Sequence, residues 1–71
     1  MEINITTDYI TLGQFLKFAR IIQSGGDAKI FIMTTQVFVN GILETRRGRK
    51  LKNNDVVKVN GKEYKIVSDV S

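Results

Sequence analysis

V-F-V-N-G-I-L, residues 37–43, decides the architecture of this 71-residue chain. Val37 and Val39 alternate with Phe38 before Asn40-Gly41, the dipeptide best suited to the two positive-φ positions of a two-residue hairpin. V-K-V-N-G-K-E-Y-K-I, residues 57–66, repeats the device at Asn60-Gly61. Between the two, Asn53, Asn54 and Asp55 mark a third turn ahead of Val56 and Val57. The C-terminal half therefore reads as a sheet of five strands at most, its neighbours joined by tight turns.

Toward the N-terminus the period changes. Ile3 and Ile5, separated by Asn4, give a short alternating stretch that reads as an edge strand. Thr11 followed by Gln14 is a capping-box pattern, and Leu12, Phe15, Leu16, Ala19 and Ile22 then recur at helical spacing. Lys17 and Arg20 fall on the opposite face, while Phe18 and Ile21 flank the apolar stripe and need cover from another element. Ser24 with Asp27 is a second capping signal, opening a helix through Ala28, Lys29 and the apolar run 30–33. A buried strand fits that run equally well by period, but the cap and the polar break at Thr34, Thr35 and Gln36 select helix. Gly25 and Gly26 read first as a tight turn and second as backbone donors to an anion at a helix start. The expected fold is α+β: two N-terminal helices packed on a small, mostly antiparallel sheet, in one domain spanning residues 1–71.

Composition narrows the chemistry. With 42% apolar residues the chain builds one core, and a core of this size is marginal. There is no cysteine and no histidine, which removes disulfides, thiol nucleophiles, imidazole bases and the usual zinc ligands. The seven acidic residues, Glu2, Asp8, Asp27, Glu44, Asp55, Glu63 and Asp69, follow no metal-loop or paired-carboxylate spacing. No catalytic residue, metal ligand or cofactor is expected, and the chain reads as a non-enzyme. Glu2 stands where a secretory signal would be basic, and the uncharged stretch 30–43 is shorter than a bilayer crossing needs. A cytoplasmic location without membrane attachment is the expectation.

Charge points to a partner. Residues 1–45 carry Lys17, Arg20 and Lys29 against Glu2, Asp8, Asp27 and Glu44, and residues 53–71 balance three lysines against three acids. The net charge of +4 thus comes from R-R-G-R-K-L-K, residues 46–52. Three arginines in that run suit phosphate, whose geometry their planar forks match. Arg46, Arg47, Arg49, Lys50 and Lys52 are the expected phosphate contacts, with Gly48 letting the backbone approach and Leu51 turned inward. Lys29 and the amides near Ser24, Gly25 and Gly26 form a second expected patch, since a helix N-terminus favours an anion. Asn40 enables its turn and offers an amide beside it. Phe15, Phe31, Phe38 and Tyr64 read as core, and Tyr9 either stacks on a base or covers the end of the first helix.

The ordered set S-G-G-D-A-K (24–29), V-F-V-N-G (37–41) and R-G-R-K-L-K-N-N-D-V-V (47–57) resembles the RNA-binding domain named after ribosomal protein S-four, the alpha-L motif. Ser24, Ala28, Lys29, Val37, Val39, Asn40, Gly41, Leu51, Asp55 and Val56 match its places, and I-T-L-G-Q-F-L-K (10–17) is similar to its short stand-alone YaaA-like or RecF-linked branch. The family's Arg-Leu-Asp before the first helix is absent, and so is the arginine between its helices, where Gly25 stands; the cluster at 46–50 takes their place. The resemblance implies a non-catalytic module that binds structured RNA, ribosomal or transfer RNA among the candidates. DNA binding, and an adaptor that docks on a protein of replication or repair by its edge strand or by Phe18 and Ile21, are the alternatives.

Overall fold

The computed structural model describes residues 1–24 and 26–69. The chain runs β1 (Glu2–Ile5), β2 (Tyr9–Thr11), α1 (Leu12–Phe18), α2 (Asp27–Thr34), β3 (Val37–Val39), β4 (Ile42–Leu43), β5 (Lys50–Lys52), β6 (Val56–Val59) and β7 (Lys62–Ser68). Five strands form one sheet in the order β1-β7-β6-β3-β4, and β2 pairs with β5 in a separate two-stranded ribbon.

Both hairpins form where expected. Asn40-Gly41 joins β3 to β4 and Asn60-Gly61 joins β6 to β7, and all four residues take positive φ, from 53° to 83°. That is the backbone twist matched to flanking antiparallel strands. Asn54, with φ of 76°, makes the third turn.

The expected arrangement of two leading helices on one small, mostly antiparallel sheet is overturned. Two strands precede the helices, strands dominate, and the main sheet is mixed because β1 lies parallel to β7, Glu2 opposite Lys65 and Ile5 opposite Ser68. Ile3 and Ile5 bury on the core side of that pairing, which drives it, and parallel neighbours need a long connection, here nearly the whole chain. β1 does stand at a sheet edge, as read. The ribbon was not foreseen. Lys50-Leu51-Lys52 is a strand, and its alternation sends Leu51 inward, as expected, between two outward lysines.

The core gathers Leu12, Phe15 and Leu16 from α1, Ala28 and Ile32 from α2, Leu51 from β5, and Val37, Val39, Val57, Val59 and Ile66 from the main sheet. Phe15 meets Tyr64 edge to face at 5.4 Å, a geometry aromatic quadrupoles favour. Phe31 and Phe38 are half-buried. Thr11 forms the capping box with Gln14 as expected: its hydroxyl accepts the Gln14 amide while the Gln14 side chain accepts the Thr11 amide. The Ser24 cap is not realised. Gly26 is the N-cap of α2 without a side-chain bond, and the Ser24 carbonyl accepts the Asp27 amide at 3.1 Å.

Helix α1 stops earlier than its apolar stripe. Arg20 donates to the Lys17 carbonyl and Ile21 to the Leu16 carbonyl, the pair of bonds that ends a helix in a Schellman motif. Ile22 still reaches the core through this turn, and Ala19 packs against it half-buried. The left-handed position, usually glycine, is Arg20, at φ of 61°. A side chain there is strained. Arg20→Gly is expected to stabilise the fold by about 0.5–1 kcal/mol, relief of strain exceeding the added freedom of the unfolded chain. Thermal denaturation followed by circular dichroism should show a rise of about 3–6 °C; an unchanged or lowered midpoint would show that the turn is unstrained.

Candidate nucleic-acid interface

The basic segment is tied to the start of α1 by its own backbone. A helix leaves its first amides without partners. Here the Leu12 amide donates to the Arg49 carbonyl and the Gly13 amide to the Arg47 carbonyl, both at 2.8 Å. Arg49 donates back to the Arg46 carbonyl at 3.2 Å, folding 46–49 into a turn. With these carbonyls pointing in, the side chains of Arg46, Arg47, Lys50 and Lys52 are left exposed and that of Arg49 half-exposed.

Glu44 organises the cations from beneath. Its amide donates to the Val37 carbonyl, which fixes it at the end of β4, and it is buried. Its Oε2 accepts the amides of Thr45 and Arg46 and the Arg46 Nε, at 3.0–3.1 Å. Its Oε1 accepts Arg46 Nη2 at 3.4 Å and Arg49 Nη1 at 3.2 Å. The Arg46 side chain hydrogen-bonded to it, with the two backbone amides, holds the carboxyl near pKa 2 against the opposing effect of burial. The Arg46 guanidinium is correspondingly raised.

The cluster that supplies the net charge is therefore partly compensated. Glu44, just outside residues 46–52, takes part of the charge of Arg46 and Arg49. Among the described residues, Arg47, Lys50 and Lys52 have no carboxylate partner. The segment stays positive, and its paired arginines are held in place.

Arg46, Gly48, Arg49, Lys50 and Lys52 surround one open depression, with Asp55 in its wall. Asp55 pins that wall, accepting the Lys52 amide at 2.7 Å and the Asn40 side-chain amide at 3.1 Å. Asn40 also accepts the Val56 amide at 2.9 Å, so its side chain ties the first hairpin to β6. Arg47 turns the other way. It lines a second depression with Gly13, Lys17, Ala28 and Gly48, which joins the basic turn to the opening of α2. Ser24, Gly26 and Lys29 are exposed near that opening, and Gly25 lies outside the described residues.

One residue was missed at the sequence level, and a second was left with two roles. Lys17, read as an ordinary exposed helix residue, shares a depression with Arg47. Tyr9 stands opposite Lys52 across the ribbon, and Lys50 Nζ lies 4.8 Å from its ring centre, within cation–π range. Only the β2–β5 pairing could have announced this, and a three-residue strand carries too little period to show it.

The match to known proteins fits this geometry. A family model described as the S4 domain covers residues 3–67. The chain belongs to the S4 domain family. That family is an RNA-binding one, so the earlier resemblance holds. This S4 domain is also 56% identical over 59 residues, covering 83% of each chain, to a protein of Bacillus subtilis (strain 168) described as a probable ribosome maturation protein RlbA.

Glu44 has a pH signature. Its carboxyl falls from an ordinary 4.5 to about 2 on folding. Its contribution is therefore complete above pH 4.5 and is lost as pH drops through 2. Glu44→Gln should cost about 1–2 kcal/mol at neutral pH, discounted for the exposure of Arg46, and should flatten the stability profile between those limits. Urea denaturation at a series of pH values checks it; a variant that loses stability in parallel with the wild type below pH 4.5 would remove Glu44 from this role.

Proposed function

We propose that this S4 domain is a non-catalytic module that grips the phosphate backbone of structured RNA, with ribosomal RNA undergoing assembly as its target in the cytoplasm. One observation carries the reading: among the described residues, Arg47 in a turn whose carbonyls are locked onto α1, and Lys50 and Lys52 on the strand that follows it, project without carboxylate partners. Fixed cations of one sign are what a polyanion requires. Lys17 extends the positive surface along α1, and Lys29 with the opening of α2 extends it on the other side. Arg46 and Arg49 present the edges of guanidinium groups that Glu44 has oriented. Asn40, with Ser24 and Gly26, borders this surface.

Gly48 supports it from another side. A Cβ built there would meet nothing within 4 Å. Its φ is not among the positive ones, so neither packing nor backbone conformation asks for glycine, whereas close approach of a phosphate chain does. The choice of ribosomal RNA rests on the relative whose description names ribosome maturation. A duplex would be recognised through its A-form shape and 2′-hydroxyls more than through base identity.

A salt titration tests the electrostatics. Changing Arg47, Lys50 and Lys52 together to alanine should weaken binding of a fluorescent RNA hairpin and lower the slope of log affinity against log salt by about 2–3. A matched DNA duplex should compete less well than the RNA. An unaltered slope would place the contact elsewhere, and equal competition would make the module a general polyanion binder.

A further inference from the structure

Beside the cationic turn lies a groove whose aromatic lining phosphate binding alone does not use. It is lined by Thr7, Tyr9, Ile10, Gln14, Lys17 and Phe18, with a volume of about 660 Å³, inside the range of small-ligand sites. Tyr9 and Phe18 are both large, apolar and exposed, at 41% and 58%. None of the lining residues is acidic. Tyr9 is held from behind, since the Thr7 hydroxyl donates to its carbonyl at 2.7 Å and β2 is paired with β5. Gln14 spends its side-chain oxygen on the Thr11 amide, which leaves its NH2 group as a donor.

Cations stand around this aromatic floor. Lys17 lines it, Lys50 Nζ sits 4.8 Å from the Tyr9 ring centre, and Lys52 is the cross-strand neighbour of Tyr9. A flat aromatic ligand joined to an anion meets both halves of that arrangement. We propose that the Tyr9–Phe18 groove is a stacking site for one unpaired nucleobase, whose own phosphates lie on Lys17, Lys50 and Lys52. A base inside a duplex has no free face, so the nucleotide comes from a bulge, a loop or a single-stranded tail. Stacking tolerates any base, so the site adds affinity for unpaired nucleotides without a sequence preference. The inference rests on the RNA-binding reading above and names the part of the RNA that reading leaves open.

The test compares three probes: a fluorescein-labelled RNA hairpin with a short single-stranded tail, the same hairpin with abasic residues in the tail, and heparin, which has charge and no bases. Tyr9→Ala should weaken binding of the tailed hairpin about tenfold and leave the abasic hairpin and heparin unchanged, with Tyr9→Phe near the wild type and Phe18→Ala in between. The chain has two tyrosines and Tyr64 is buried. Tyrosine emission should therefore be quenched by the tailed hairpin in the wild type and in Phe18→Ala, and not in Tyr9→Phe. This readout stands even if Tyr9→Ala is poorly folded.

Undiminished binding of the tailed hairpin by Tyr9→Ala, or quenching no greater than with the abasic probe, would overturn the proposal and leave the groove as an apolar surface for a protein. An equal loss on heparin would overturn it too, assigning Tyr9 to the positioning of Lys50. If the wild type binds neither RNA, the RNA-binding reading falls and takes this one with it; loss on the triple charge variant with no effect at Tyr9 removes the stacking site alone.

Discussion

Two hydrogen bonds govern the basic face: the amides of Leu12 and Gly13 donating to the carbonyls of Arg49 and Arg47. Each side supplies what the other lacks. A seven-residue helix is far too short to be stable alone, and its opening amides need acceptors. A run of five cations repels itself and does not settle into one conformation unaided. Joined, the helix gains partners for its amides and the basic turn gains a rigid seat. The buried Leu51 fastens the other end of that turn, and the ribbon pairing of β5 with β2 returns the chain to the residue before α1.

Glu44 solves the remaining problem, the mutual repulsion of the arginines. Full neutralisation would spoil an anion-binding surface, yet no counter-charge would leave five like charges within seven residues. One carboxylate placed under two of the cations is an intermediate solution. It takes two backbone amides as well as two guanidinium groups, so it orders the chain where the main sheet ends and the turn begins. Under the proposed function the three unbridged cations supply the long-range attraction, while the bridged arginines contribute oriented edges. A guanidinium has five donors, so holding two of them against Glu44 leaves others to meet a phosphate.

How much of this was legible depends on how local each device is. The hairpins at Asn40-Gly41 and Asn60-Gly61 could be read because a tight turn states its requirement in two adjacent residues. The Thr11–Gln14 cap is local in the same way. The failed Ser24 cap is a local signal outvoted by the backbone path, which made Gly26 the last residue before α2. The parallel β1–β7 pair was illegible, because alternation at Ile3 and Ile5 shows a buried face and says nothing about the partner strand. The ribbon was illegible for want of length. Glu44 had a visible signal, an acid two residues before Arg46 and five before Arg49, but a charge tally divided between residues 45 and 46 set it in the wrong segment.

The coupling between turn and helix bears on affinity as well as on fold. A binding loop that is mobile in the free protein must be ordered when it meets its partner, and each long side chain immobilised at an interface costs about 0.5–1.5 kcal/mol. In this chain part of that ordering has already occurred on folding: Arg46 and Arg49 are fixed by Glu44, and the backbone of 46–49 by α1. Conformational entropy is lost once, in a transition that the buried core drives. The consequence is a trade specific to a small domain. Because the same residues hold the helix and present the charge, under the proposed function substitutions that remove backbone conformers at the turn alter stability and binding together, whereas truncation of an unbridged side chain such as Lys52 alters binding alone.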